Sequence, residues 1–189
     1  MFFVKCSLGS VINLSSFNAK VIFAGDPAVG KTCLIRRFVD NYFKESYLPT
    51  LGFEISVKAL QVASQTIVFS VWDVEGQQTF DSFRLRYYQG SHGFLLAFDM
   101  TSRKTFENLS KWFADIKEIC PHAPFVLVGN KYDLPMHAVT TEEIIAKVEE
   151  FGAAGFVLTS AKTGEGVLEA FTMLGKSLID IFTGPPLND

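Results

Sequence analysis

The sequence predicts an α/β three-layer sandwich: a mostly parallel six-stranded sheet with one antiparallel edge strand and helices on both faces. Three observations carry that expectation. Strand-like and helix-like segments alternate along the chain, the pattern that builds parallel sheets through crossover helices. Several of the strand segments are short and almost wholly apolar, as strands covered on both faces must be. A glycine-rich loop, residues 25–32, joins the first strand to the first helix.

The elements follow in order. Residues 20–24 (Lys-Val-Ile-Phe-Ala) read as a strand, and Leu34, Ile35, Phe38 and Val39 recur at helical spacing just after the loop. Residues 53–60 and 66–73 are rich in β-formers and predict a hairpin through residues 61–65, the antiparallel edge pair. Gly93–Asp99 is an apolar run suited to a doubly covered strand. Residues 105–120 place Phe106, Leu109, Phe113, Ile116 and Cys120 on one stripe, hence a helix. Residues 124–129 form another buried strand. Thr140-Thr-Glu-Glu opens a helix with a capping-box pattern that Gly152 closes. Residues 155–158 supply the last strand, and Val167, Leu168, Phe171, Leu174, Leu178 and Ile181 stripe the last helix.

Composition narrows the classes. With 189 residues, 48% hydrophobic and 20% charged, the chain suits one globular domain with a sizeable core. A net charge of −3 without a basic run argues against nucleic acid as a partner. Cys6, Cys33 and Cys120 are odd in number and widely spaced, which suggests reduced thiols in a cytoplasmic chain rather than disulfides or zinc. His92, His122 and His137 show no metal-ligand spacing. No apolar run reaches the roughly 18–20 residues a membrane span needs. Residues 1–18 read as an apolar N-terminal extension, poorly ordered or packed on the surface. Its alternative role is a weak membrane or partner contact within residues 1–17 through Phe2, Phe3, Val4 and Leu8. Residues 19–182 form the main domain and 183–189 a short tail.

The chemistry concentrates at the carboxyl ends of the predicted strands, where ligands bind in sheets of this kind. The loop reads Gly25-Asp26-Pro27-Ala28-Val29-Gly30-Lys31-Thr32. Gly25 and Gly30 permit positive φ, so that successive N–H groups converge on one point. The following helix aims its positive end there too. The cradle suits a polyphosphate, with the Lys31 ammonium on the terminal phosphates and the Thr32 hydroxyl on Mg²⁺.

Four further segments lie at strand ends or in connecting loops. Asp73 ends a strand and opens Asp73-Val74-Glu75-Gly76-Gln77; its carboxylate suits Mg²⁺, the Gly76 N–H a γ-phosphate, and the Gln77 amide an attacking water. Asn130-Lys131-Tyr132-Asp133 offers an acceptor-only carboxylate to the two N–H donors of a guanine edge, which adenine lacks, while the Lys131 stem covers the base. Thr159-Ser160-Ala161-Lys162 brings a backbone N–H, from Ala161 or Lys162, towards the guanine carbonyl. In the loop Tyr47-Leu48-Pro49-Thr50, Thr50 provides a second hydroxyl for Mg²⁺ when ordered over a γ-phosphate, and Phe43 stacks on the base edge.

Taken together, residues 20–181 resemble a Ras-superfamily small GTPase, with all five motif regions in order. Tyr87-Tyr88-Gln89-Gly90-Ser91-His92-Gly93, the run 94–99 followed by Met100-Thr101, and Ser160-Ala161-Lys162 are similar to Rab proteins; Trp72-Asp73-Val74 and residues 49–53 also resemble Arf proteins. The resemblance implies the P-loop NTPase sandwich and GTP or GDP as ligand with Mg²⁺ held by Thr32, Thr50 and Asp73. It assigns nucleotide contacts to Gly25, Asp26, Ala28, Val29, Gly30, Lys31, Thr32, Cys33, Phe43, Tyr47, Thr50, Gly76, Asn130, Lys131, Asp133, Ser160, Ala161 and Lys162, and water positioning to Gln77. It implies a trafficking or signalling switch with slow intrinsic hydrolysis. Effector, exchange-factor and activating proteins would dock on residues 42–54 and 75–90, with Ile55, Trp72 and Tyr87 as an effector-facing surface.

Some positions depart from the family pattern. Glu75 replaces a small residue beside Gly76, and a carboxylate about 4 Å from a γ-phosphate charge is repelled by roughly 4 kcal/mol at an effective dielectric near 20. Pro27 removes an N–H from the loop. These two support the alternative of a nucleotide-bound, non-catalytic interaction module. The C-terminus shows no cysteine for a lipid, and Phe2 follows Met1, so no lipid anchor is visible; the chain either is soluble, uses its N-terminal extension, or is a truncated form. Arg36 and Arg37 read as solvated helix residues, with no arginine finger in view. An ATP-using nucleotide kinase is a further rival, but its acceptor and lid segments are missing.

Overall fold

A computed structural model describes residues 16–44, 50, 52–74 and 86–184. The first apolar run lengthens into β1 (Ser16–Gly25), which starts four residues earlier than the sequence pattern indicates. After the glycine-rich loop comes α1 (Lys31–Asp40). The edge hairpin is β2 (Phe53–Val62) and β3 (Gln65–Val74). Then follow β4 (Gly93–Asp99), α2 (Arg103–Glu107), α3 (Leu109–Ile119), β5 (Phe125–Asn130), α4 (Thr141–Phe151), β6 (Phe156–Leu158) and α5 (Val167–Thr183). The six strands lie in the order β2-β3-β1-β4-β5-β6. Only the β2–β3 pair is antiparallel; β1 pairs in parallel with β3 and β4, and β5 with β4 and β6. The predicted sandwich is the observed one.

Two apolar layers hold it together. On one face Phe23, Phe69, Phe38 and Phe171 pack beneath α1 and α5, with the Phe38 and Phe171 rings stacked at 3.6 Å. On the other face Phe94, Phe98, Phe125 and Tyr88 pack beneath α2, α3 and α4. Every residue of β4 and β5 is buried, which explains their unbroken apolar runs.

Three local expectations change. The hairpin turns in two residues, Ala63 and Ser64, rather than five. Ala63 takes φ 51 with no glycine to mark it, which lets β2 and β3 pair as far as Val62 and Gln65. The helix expected over 105–120 is interrupted at Asn108; Phe106 is buried on the first piece as expected, and Trp112 rather than Phe113 is buried on the second. On α5, Leu168 and Ile181 face outward at 56% and 51% exposure. Ala170 and Gly175 complete the buried stripe instead. They are too small to register as an apolar signal, yet a Cβ on Gly175 would press within 2.9 Å of Val62, so α5 sits close against the sheet.

The capping box of α4 forms as expected. The Glu143 N–H donates to Thr140 Oγ1, and the Thr140 N–H to the Glu143 carboxylate at 2.9 Å. Replacing Thr140 with alanine is expected to cost about 1 kcal/mol. Chemical denaturation would show this as a lower midpoint at unchanged slope; an unmoved midpoint would mean that the cap contributes nothing.

Candidate functional site

The parallel strands β1, β4, β5 and β6, together with β3, all end on one side of the sheet, and the loops leaving them meet there. β1 delivers the glycine-rich loop. Gly25 and Gly30 take φ 137 and 99, as expected. Neither position admits a side chain. A Cβ on Gly25 would lie 2.2 Å from the Ala97 carbonyl oxygen, and one on Gly30 2.3 Å from the Asn130 amide. Ala28 also takes positive φ, at 62, and is exposed beside Pro27. Val29 is fully buried.

Lys31, the first residue of α1, is buried. Its ammonium donates to the carbonyls of Gly25 at 2.7 Å and Asp26 at 2.9 Å. Burial pushes its pKa down to about 8, with the carboxylates of Asp73 and Asp26 opposing the drop. The loop thus carries a cation poorly served by water, poised for an anion.

Asp26 was expected to line the cradle. Its carboxylate instead reaches sideways to the α2–α3 region. Trp112 Nε1 donates to one oxygen at 2.8 Å and Asn108 Nδ2 to the other at 2.7 Å. Its carbonyl remains on Lys31.

Next to Lys31, three oxygen-bearing side chains converge from separate elements: Thr32 on α1, Thr50 before β2 and Asp73 near the end of β3. Both hydroxyls donate to Asp73 Oδ2, Thr50 at 3.2 Å, and they lie 3.0 Å from each other. Asp73 Oδ1 is buried with no hydrogen-bond partner among the described residues. Burial raises the carboxyl of Asp73 above its ordinary range, against hydrogen bonds from Thr32 and Thr50 and the charge of Lys31. Two hydroxyls and a carboxylate with one unsatisfied buried oxygen are a hard-oxygen donor set, which fits Mg²⁺. Among the described residues no group of three His, Cys, Asp or Glu side chains is placed to hold a metal. Cys33, half-buried, has its thiol pKa raised first by burial and then by Asp73, so it is an inert neighbour.

β5 ends in Asn130, 2% exposed, which links three loops. Its Nδ2 donates to the Val29 carbonyl at 2.8 Å, and its Oδ1 accepts from Thr159 Oγ1 at 3.3 Å and from the Ala161 N–H at 3.2 Å. Of the two N–H groups expected to face a base, that of Ala161 therefore points at Asn130. Ser160 is fully buried, and its hydroxyl accepts from the Thr163 N–H at 3.0 Å. Lys131 takes φ 64 and its ammonium pairs with Asp99 at 2.6 Å. Asp133 is exposed, and no hydrogen bond or ion pair among the described residues engages its carboxylate. Phe43 is half-buried against the α1–α5 core. Tyr47, Glu75, Gly76 and Gln77 lie outside the described residues.

Five partners escaped sequence reasoning: Trp112 and Asn108 on Asp26, Thr159 on Asn130, Asp99 on Lys131, and Arg37. Arg37 is not the solvated residue expected. Its guanidinium bonds to the Ala161 and Lys162 carbonyls.

Asp99 carries a pH consequence. Burial alone would raise its carboxyl, but hydrogen bonds from Lys131 and Thr101 outweigh this and hold it below the ordinary carboxylate range. The native state therefore binds this proton less tightly than the unfolded chain. The stabilisation is whole above the ordinary carboxylate range and is lost as pH falls below it. Asp99→Asn is expected to flatten the acid limb of a melting-temperature profile; parallel profiles for the two proteins would refute the role.

Comparison with known proteins agrees with this geometry. A family model described as the Ras family matches residues 20–180. Similar proteins include the Ras-related protein Rab-1 of Theileria parva, 34% identical over 171 residues, covering 89% of this chain and 78% of the relative. The Ras-related protein SEC4 of Saccharomyces cerevisiae is 35% identical over 158 residues, 83% of this chain and 73% of the relative. The Ras-related protein Rab-13 of Canis lupus familiaris is 35% identical over 161 residues, 85% and 79% respectively.

Proposed function

The chain belongs to the Ras family and is a Rab-like GTPase, and from that membership we propose that it is a cytoplasmic switch whose loops exchange GTP and GDP in membrane trafficking. The observation that carries this reading is the meeting of three loops on Asn130 beside the buried ammonium of Lys31. One end of the site is cationic and lined by backbone, the other presents an acceptor-only carboxylate.

In this proposal Gly25, Asp26, Ala28, Val29, Gly30, Lys31 and Thr32 bind the phosphates, the side chain of Asp26 serving as anchor rather than ligand. Thr32, Thr50 and Asp73 hold Mg²⁺, which when bound offsets negative charge on the β- and γ-phosphate oxygens. Phe43, Tyr47, Asn130, Lys131, Asp133 and the segment from Ser160 to Lys162 enclose the base, and Asp133 accepts from its two N–H donors. Gly76 meets the γ-phosphate and Gln77 orients the attacking water. Thr50, whose hydroxyl rests on Asp73, would supply a further oxygen to the metal when its loop is ordered over a γ-phosphate.

The effector-facing surface is aromatic. Phe53 stacks on Trp72 at 5.2 Å and meets Tyr87 at 4.9 Å; Ile55, directly opposite Trp72, is 44% exposed. Phe53 thus joins the trio expected from sequence. We assign regulators and effectors to residues 42–54 and 75–90 and a weak membrane contact to residues 1–17. Among the described residues no helix is long and apolar enough to cross a membrane.

Identification of the co-purifying nucleotide, with a competition panel of GDP, GTP, ADP and ATP, tests the base assignment. ATP displacing GDP as well as GTP does would overturn it. Single-turnover phosphate release with GTP and Mg²⁺ tests turnover. Release no faster than in buffer would favour the non-catalytic module that Glu75 and Pro27 suggest.

A further inference from the structure

The side chain of Asp26 belongs to the phosphate loop yet carries the same sign of charge as the ligand proposed for it. An ammonium has three donors. Those of Lys31 reach the Gly25 carbonyl at 2.7 Å and the Asp26 carbonyl at 2.9 Å, and the third is the one a phosphate oxygen would take. Because the Asp26 carbonyl already touches the ammonium, rotation about χ1 of the same residue would carry its carboxylate towards that cation. The carboxylate is near enough to act on Lys31 as it stands, for it is one of the two that oppose the drop in the lysine pKa.

Two donors hold it elsewhere. Trp112 Nε1 donates to Oδ1 at 2.8 Å and Asn108 Nδ2 to Oδ2 at 2.7 Å, so each carboxylate oxygen is engaged from 86 and 82 residues along the chain. Asn108 precedes α3 and Trp112 lies one helical turn further on, so both reach the loop from the same side of the helix. Trp112 is buried in the layer that holds Leu109 and Ile116, which keeps its ring from following the loop. An indole N–H only donates, so what it meets there must be an acceptor.

We propose that Trp112, with Asn108, is a positioning residue for phosphate binding: it holds the Asp26 carboxylate aside, so that Lys31 stays open to the β-phosphate of the nucleotide. The inference rests on the nucleotide reading above. It makes Asp26 a competitor of the ligand that the α2–α3 junction restrains.

The test measures dissociation constants for GDP and GMP, the second of which carries no β-phosphate. Trp112→Phe keeps an aromatic ring in the layer and removes the N–H. Its preference for GDP over GMP is expected to be about tenfold below that of wild type, the value of roughly one hydrogen bond to a charged group. Asparagine has no charge to pair with Lys31, so Asp26→Asn added to Trp112→Phe should raise the preference about tenfold, and much less when made in wild type. Asn108→Ala removes the other donor at a half-buried position and should lower the preference in the same direction, which keeps the test decisive if Trp112→Phe folds poorly. A preference unchanged in both Trp112→Phe and Asn108→Ala, or an equal gain from Asp26→Asn in the two backgrounds, would overturn the proposal and leave Trp112 a brace between α3 and the loop. Wild type holding GMP as tightly as GDP would remove the polyphosphate reading itself and this inference with it.

Discussion

Replacing Asn130 with alanine is expected to speed nucleotide dissociation by about three orders of magnitude and to lower the melting temperature by at least roughly 6 °C. The side chain is buried and makes three hydrogen bonds, to Val29, Thr159 and Ala161. Alanine leaves three groups without partners where water does not reach, each at a cost of about 1–3 kcal/mol. The same deletion opens space above Gly30, whose missing side chain is what lets the amide sit there. The phosphate loop and the 159–161 loop then move independently, so a ligand held by both loses the benefit of a prearranged site. Thr159→Ala removes one of the three bonds and should show about a third of the thermal loss. Stopped-flow release of a labelled nucleotide and a melting curve together check this. A variant that melts early but releases nucleotide at the wild-type rate would show that Asn130 supports the fold alone.

Lys31→Met is expected to weaken nucleotide binding by about a thousandfold or more while leaving the nucleotide-free protein no less stable, and a few degrees more so. The two effects share one cause. The ammonium is enclosed, and burial has pushed its pKa down to about 8, the sign of a charge that the fold tolerates rather than prefers. Methionine fills a similar volume without the desolvation cost. What disappears is the cation that a polyphosphate needs, and charge-assisted hydrogen bonds are the strong ones. Calorimetric melting without nucleotide, beside a titration with labelled GDP, separates the effects. A lower melting temperature would mean that the bonds to the Gly25 and Asp26 carbonyls outweigh the desolvation penalty.

How much of this could be read from the chain depends on the range of the interaction. The glycine-rich loop, Asp73 at the end of β3 and Asn130 at the end of β5 were legible because each pairs a rare residue combination with the end of an apolar run. The sheet was legible because β4 and β5 are apolar up to their last residues, Asp99 and Asn130. What was missed is mostly long-range and polar. Trp112 and Asn108 reach Asp26 across 86 and 82 residues, and nothing in their local pattern distinguishes them from ordinary helix residues. Arg37 looked solvated because, beside Arg36 on an amphipathic helix, its carbonyl acceptors are invisible in sequence. Ala63 hid a two-residue turn because positive φ is read from glycine or asparagine, and it is neither. Leu168 entered the predicted stripe by hydrophobicity alone, although it stands 100° round the helix from Val167.

The indole that fastens Asp26 has an optical consequence. The protein carries two tryptophans. Trp112 is hydrogen-bonded to the phosphate loop, and Trp72 lies in the aromatic surface with the Lys20 ammonium 4.3 Å from its ring centre. Their ultraviolet emission thus divides between the glycine-rich loop and the aromatic face of the sheet edge. With Trp72→Phe, the remaining signal belongs to the cradle alone, and occupancy can be followed on unlabelled protein in real time.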